Sequence, residues 1–215
     1  MLLKARERIS EEMRDPAMIQ FYAEETLSTL EGHLNNEGFR SSADELRLQV
    51  LVMSWGAFEA YFSDLIRDLL NAKPDLMRDL MSIKEYRDLV LGRSFIDTLA
   101  THDFNLSGRM GDIFCSAVKL DGLEAIKTVA EKVFGDSEAG KALKKRELWK
   151  IAQQRHLIVH RRAVVDTHYA ERTSDCTSIG ARLFLSADYI EEAMATLRDA
   201  GLCCFDAAIG VRGSS

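Results

Sequence analysis

The sequence predicts an all-α protein: a helical bundle with long central helices and an irregular segment before the last one. Three observations predict it. Only two of 215 residues are proline, Pro16 and Pro74, so little interrupts helical hydrogen bonding. Strong helix formers (Ala, Leu, Glu, Arg and Met) are abundant. Apolar residues recur at three- and four-residue spacing rather than alternating, and strand–helix–strand units are absent from the pattern.

The elements follow in order. A first helix is expected within residues 3–14, broken by Asp15-Pro16. A second is expected from Pro16 to His33, since proline suits a first helical turn. Asn35-Asn36-Glu37-Gly38 looks like a loop. Ser42 with Glu45 three residues on has the form of a capping box and opens a long helix over 42–71. Its apolar stripe is Val50, Met53, Ala57, Phe58, Tyr61, Leu65 and Leu69, and Pro74 closes it. Ser82 and Glu85 repeat the capping box and start a helix to Leu91.

Glycines at 92, 108 and 111 suggest short helices joined by turns across 92–120. A helix over 121–134 ends at Gly135, and Asp136-Ser137 caps the next, over 138–162. Residues 163–185 look irregular, with short extended pieces at Val164-Val165 and Leu183-Phe184-Leu185. Ser186 caps a last helix over 187–209, and the final residues fray. Internal repeats are not evident, and a single domain over 1–215 with a core at about 16–210 is expected.

The net charge of −6 argues against a uniformly basic, indiscriminate nucleic-acid binder. The four cysteines, Cys115, Cys176, Cys203 and Cys204, form no C-x-x-C pair, which disfavours a zinc knuckle or thioredoxin-like motif. Adjacent Cys203 and Cys204 are expected to be buried, reduced thiols. The charged start Met1-Leu2-Leu3-Lys4-Ala5-Arg6 gives no signal-peptide core, and the apolar runs are too short to span a bilayer. A cytoplasmic protein without membrane contact is the expectation.

One segment reverses the local charge. Lys141, Lys144, Lys145, Arg146, Lys150, Arg155, Arg161 and Arg162 face a single acid, Glu147. Such a patch suits phosphate, although a solvated helix face balanced by acids elsewhere would look the same. Arg155 also falls on the stripe of Leu148, Ile151 and Ile158, where a buried guanidinium needs a carboxylate or an anionic ligand. Glu59, on the long central helix, is the expected partner. His156 and His160 share a helix face and could move protons near neutral pH. A metal site is disfavoured, because H-E-x-x-H is absent and His168 is the one candidate third ligand.

Arg155-His156-Leu157-Ile158-Val159-His160 resembles the R-x4-6-H motif of the HEPN superfamily, with histidine where the family most often has asparagine. The resemblance continues through Arg161-Arg162-Ala163-Val164-Val165-Asp166, through Gly180 to Ile190, and upstream in Ser54-Trp55-Gly56-Ala57-Phe58-Glu59-Ala60-Tyr61. It covers about residues 42–210. Many members carry glycine or asparagine shortly after the histidine, where this chain has Arg161-Arg162.

The resemblance implies a HEPN-like fold and a metal-independent endoribonuclease without cofactors. His160 would do acid/base work, Arg155 would hold the phosphate, and His156 would orient either or contact RNA. Lys150, Arg161 and Arg162 are the expected RNA-binding cations, with Glu59 in support. Products would be a 2′,3′-cyclic phosphate and a 5′-hydroxyl. Residues five apart diverge by about 140° on an ideal helix, so a homodimer facing its motifs into one cleft is expected, as is common in the family. A toxin or defence effector fits, with an antitoxin or neighbouring effector protein as possible partner. The alternatives are a non-catalytic HEPN-like module binding RNA, a nucleotide or a protein, and a helical scaffold without a site.

Overall fold

The computed structural model of the chain describes residues 16–92, 95–175 and 177–213. The helix expected within 3–14, and Cys176, lie outside them. Among the described residues there are eleven α-helices and one 3₁₀ turn, and no strand. The all-α architecture with long helices is therefore what the sequence encodes.

The chain divides into two compact units, with the boundary between Leu46 and Arg47. The first holds α1 (Pro16–Leu34) and the opening turns of α2 (Glu37–Ala72). Helix α2 starts five residues earlier than the sequence suggested. Asn36 is its working cap, its Oδ1 accepting from the Phe39 amide at 3.1 Å. Ser42 lies inside the helix, and its hydroxyl donates back to the Gly38 carbonyl at 2.9 Å. The Ser42–Glu45 capping box is thus not formed, because helix was already propagating through it.

The second unit holds the rest of α2 and everything after it. A 3₁₀ turn, Pro74–Leu76, leads into α3 (Met77–Met81) and α4 (Lys84–Val90). The Ser82–Glu85 box also fails: Ser82 Oγ donates to the Asp79 carbonyl, and extended Ile83 precedes α4 without a side-chain cap. Then follow α5 (Phe95–Thr101), α6 (Met110–Ala117) and α7 (Leu123–Phe134). Gly135, at φ 61°, ends α7 as expected. Ser137 caps the next helix, accepting from the Gly140 amide.

That helix is not continuous to 162. It stops as α8 (Glu138–Leu143), the chain turns at Lys144 and extended Lys145, and α9 (Arg146–Arg161) resumes. The break lets Leu143 and Leu148 both be buried. Five apart on one helix, they would point about 140° from each other. After α9 the chain makes a single antiparallel bridge, Val164 to Arg182, with Leu183 N donating to Ala163 O at 2.7 Å. Between the bridge partners lies an unexpected helix, α10 (Thr167–Thr173), capped by Asp166. The last helix is α11 (Ala187–Gly213), and Ser186 Oγ accepts from the Tyr189 amide at 3.1 Å, as its sequence implied.

Within the second unit, α11 packs along α8 and α9, and α7 packs on α8 and α3. Helix α2 contributes Leu48, Leu51, Trp55, Phe58, Phe62, Ile66, Leu69 and Leu70 to the core. This is not the stripe read from the sequence. Of that stripe only Phe58 and Leu69 are buried, while Met53 is 72% exposed. Two apolar stripes share α2, and periodicity alone does not choose between them. Helix α6 comes so close to α2 that a Cβ on Gly111 would sit 2.0 Å from the Arg67 carbonyl oxygen. Asn71 seals the contact, its Oδ1 accepting from the Gly111 amide at 2.7 Å.

Candidate functional site

Helix α9 positions the chemistry-bearing residues. Leu148, Ile151, Gln154, Leu157 and Ile158 are buried and fix the helix to the core. The opposite side therefore carries His156 and His160 into solvent, where both are exposed. Their ring centroids lie 4.5 Å apart with planes tilted by 46°. Burial holds the His156 imidazole below its ordinary range, aided by the neighbouring charges of His160, Arg155 and Arg161.

Arg155 sits at the edge of the core stripe, its side chain 30% exposed. Its Nη2 lies 3.7 Å from Glu59 Oε2, the partner expected from the sequence. Glu59 is divided between two tasks, since its Oε1 accepts from the Gly122 amide at 2.7 Å. Gly122, at φ 86°, is the residue that opens α7. One carboxylate on α2 thus ties α7 to α9. Arg155 Nε is buried and has no hydrogen-bond partner, so the guanidinium keeps an unused donor.

The basic segment is less bare than its sequence. Lys141 pairs with Glu138 at 2.7 Å, Lys144 with Glu131 at 3.0 Å, and Arg161 with Asp166 at 3.5 Å. Lys150 Nζ lies 3.7 Å from Asp175 Oδ2 and over the Tyr189 ring at 5.8 Å. The Lys141, Lys144 and Arg161 pairs are exposed enough to be exchanged for an anionic ligand at little cost, whereas Asp175 is only 14% exposed.

Arg162 ends α9 in the left-handed conformation, φ 53° and ψ 37°, and Ala163 follows at φ 61°. The Arg162 and Ala163 amides both turn back to the Leu157 carbonyl. This closure is the type that normally recruits glycine, at the place where the resembled family often has glycine or asparagine.

Beside Arg155 the structure forms a cleft of about 370 Å³. Trp149, Arg155 and His156 of α9 line it with His168 and Arg172 of α10 and Trp55 of α2. The Arg172 guanidinium covers the Trp149 ring at 5.3 Å. His160 does not line this cleft. The cleft was not read from the sequence, although both tryptophans of the chain and His168 meet in it. Half of its wall is α10, a short helix in a polar stretch whose sequence pattern suggests irregular structure. Among the described residues no group of three His, Cys, Asp or Glu side chains is arranged to hold a metal ion.

A polar network underlies the site. Buried Gln154 accepts from the Tyr189 hydroxyl through Oε1. Tyr169 donates to Asp175 at 3.3 Å, and Thr177 donates to Asp175 through both its amide and its hydroxyl. Burial pushes the Tyr169 hydroxyl far above its usual range. Burial opposes ionisation of Asp175, yet the Thr177 donors, Lys150 and Tyr169 outweigh it and hold its carboxyl below the usual range. Of the cysteines, Cys204 is buried, with its thiol pushed up to about 12, and Cys203 is half-buried; Cys115, Cys203 and Cys204 are free thiols.

No helix among the described residues is long and apolar enough to cross a membrane. Comparison with protein-family models, with curated proteins and with solved structures finds no match.

Proposed function

We propose that the chain is a metal-independent endoribonuclease that works through Arg155 and His160, with His156 beside them. The observation that carries this reading is the state of Arg155. Glu59 holds it in place while its side chain stays 30% exposed, on the same helix as two closely apposed, solvent-facing imidazoles. A fixed, forked cation suits the non-bridging oxygens of a phosphodiester. RNA supplies its own nucleophile, the 2′-hydroxyl. His160 as base would take that proton while the 2′-oxygen attacks phosphorus. The P–O5′ bond breaks, and an imidazolium returns a proton to the leaving oxygen. The ends left are a 2′,3′-cyclic phosphate and a 5′-hydroxyl. The HEPN resemblance of residues 155–166 supports the same chemistry.

Arg155 and His160 belong to different faces of α9, so the reading includes a homodimer in which one copy's arginine serves the other's histidine. RNA would be met by Arg161 and Arg162, and by Lys150 once Asp175 releases it. A toxin or defence effector in the cytoplasm, held in check by an antitoxin or a neighbouring effector protein, is the setting this activity fits. One observation favours a second reading, a non-catalytic module that binds RNA, a nucleotide or a protein: His160 lies outside the cleft that Arg155 and His156 line. Incubating purified protein with mixed single-stranded RNA from pH 5 to 9 separates the two. Cleavage that vanishes in both Arg155→Ala and His160→Ala supports the enzyme, and cleavage that persists in the two folded variants, or is never seen in wild type, removes it.

A further inference from the structure

We infer that the cleft beside Arg155 is a subsite for one unstacked nucleobase and its adjoining phosphate, the base lying on the Arg172–Trp149 pair. The inference rests on the reading of Arg155 as a phosphate ligand and names the part of the RNA held next to it.

Four features converge on this ligand. The cleft, at about 370 Å³, is within the range of small-molecule sites. Its wall carries a cation–π pair, the Arg172 guanidinium 5.3 Å from the Trp149 ring centroid. Guanidinium and indole faces both accept a nucleobase, and they do so with little regard to sequence. Two guanidiniums, Arg155 and Arg172, line the cleft with the imidazoles of His156 and His168; of the nearby carboxylates, Glu59 pairs with Arg155 at 3.7 Å and Glu124 with Lys127 at 3.0 Å. The fourth feature is Arg155 itself, which lines the cleft, stays 30% exposed and is held 3.7 Å from Glu59, so that its forked guanidinium can also meet a phosphate oxygen. Spacing on α9 makes the arrangement possible. Trp149 and His156 are seven apart and share a face, with Arg155 next to His156 at one end and Trp149 at the other. Base and phosphate recognition therefore lie along one helix, as they do along one nucleotide.

The occupant is a single-stranded rather than a paired nucleotide. A base inside a duplex has both faces covered by its neighbours and offers none to Trp149 or Arg172.

The test uses the whole wild-type chain, since none of the probes has an internucleotide bond to cleave. Adenosine 5′-monophosphate, ribose 5-phosphate and inorganic phosphate are titrated while tryptophan emission and calorimetric heat are followed. Adenosine 5′-monophosphate should bind at least tenfold more tightly than the two base-free probes and quench emission. Arg172→Gln, at an exposed position, should remove that tenfold advantage, while inorganic phosphate, which loses one of two guanidiniums but no stacking partner, should weaken by a smaller factor. Trp149→Phe, which keeps a ring in the core, should weaken it in part. Equal affinity for all three probes, or no binding of the nucleotide, overturns the inference. Cleavage assays on wild type keep the two ideas apart. Nucleotide binding with no RNA cleavage sinks the nuclease and leaves the subsite standing. RNA cleavage with no nucleotide preference does the reverse.

Discussion

Glu59 Oε2 stands 3.7 Å from Arg155 Nη2 while Glu59 Oε1 accepts the Gly122 amide at 2.7 Å. The Glu59 side chain is 13% exposed, against 30% for Arg155, so the charge is shielded mainly on the carboxylate side. Glu59→Gln keeps an acceptor for Gly122 but leaves Arg155 without its counter-charge. Unfolding in urea should show a loss of about 1–2 kcal/mol, well short of the cost of orphaning a fully buried cation. Arg155→Met should lose at least as much, because it strands the more buried Glu59 carboxylate with only the Gly122 amide to hold it. A Glu59→Gln protein as stable as wild type would mean that the pair does not hold α9 in place.

His156 gives the stability a definite pH slope. Its imidazole is held below the ordinary value of 6.5, first by burial and then by His160, Arg155 and Arg161, with Asp166 opposing. The unfolded chain therefore binds the proton more readily than the folded one. Stability from this group is full above pH 6.5, falls as pH drops toward the folded value, and levels off below it. The urea midpoint should decline between pH 7.5 and pH 5, and the decline should be shallower in His156→Gln. Identical slopes in the two proteins would show that other groups set the acid sensitivity.

Arg162 and Ala163 occupy left-handed backbone at the end of α9, with φ 53° and 61°. A residue with a Cβ is strained there by roughly 1 kcal/mol, and glycine is not. Arg162→Gly should raise the unfolding free energy in urea by about that much, less any gain in unfolded-chain entropy. It should also weaken RNA binding if Arg162 meets the backbone of the ligand. A variant less stable than wild type would mean that the Arg162 side chain makes contacts worth more than the strain.

Gly111 tests the close approach of α6 to α2. A Cβ there would lie 2.0 Å from Arg67 O and 2.8 Å from Arg67 Cα. Backbone cannot rotate away as a flexible side chain can, so α6 must shift off α2 and strain the Asn71 bond to the Gly111 amide. Gly111→Ala should cost about 2–3 kcal/mol by thermal or urea unfolding, against the usual gain of alanine in a helix. A neutral result would show that α6 is free to slide.

Legibility in the sequence varied with whether a local signal had one meaning. Ser186 and Gly135 are legible because each borders one apolar stripe with no competing element, and the cap and the helix end fall there. The Ser42 and Ser82 boxes were misread because a serine inside or just behind a helix can bond its own preceding carbonyls, as both do. Helix α2 carries apolar residues on two faces, and burial, which chose the Leu48–Leu70 stripe, is a tertiary decision. The break at Lys144–Lys145 contains no glycine or proline. Its trace was the phase jump between Leu143 and Leu148. At the site, the Glu59–Arg155 pair was legible because an arginine on a core stripe demands a carboxylate. The Trp149–Arg172 cleft was not, because its two walls are separated by the turn at Arg162 and a helix hidden in a polar stretch.

The divergence of Arg155 and His160 on α9 makes a sharp demand of the proposed chemistry. Five residues of helix turn them about 140° apart, and α9 is regular from Arg146 to Arg161, so no local unwinding brings them together. If cleavage needs both, two chains must share the site. Arg155→Ala and His160→Ala should each cut RNA at least a hundredfold more slowly than wild type. Mixed in equal amounts and allowed to exchange subunits, they should regain about a quarter of wild-type activity. Half of the dimers would then be mixed, and each mixed dimer would hold one intact site and one lacking both groups. Restored cleavage that rises with the fraction of mixed dimers, counted by native mass spectrometry, supports a shared site. Mixed dimers that form and stay inactive would confine each Arg155 and His160 to its own subunit, where the geometry of α9 keeps them from one phosphate.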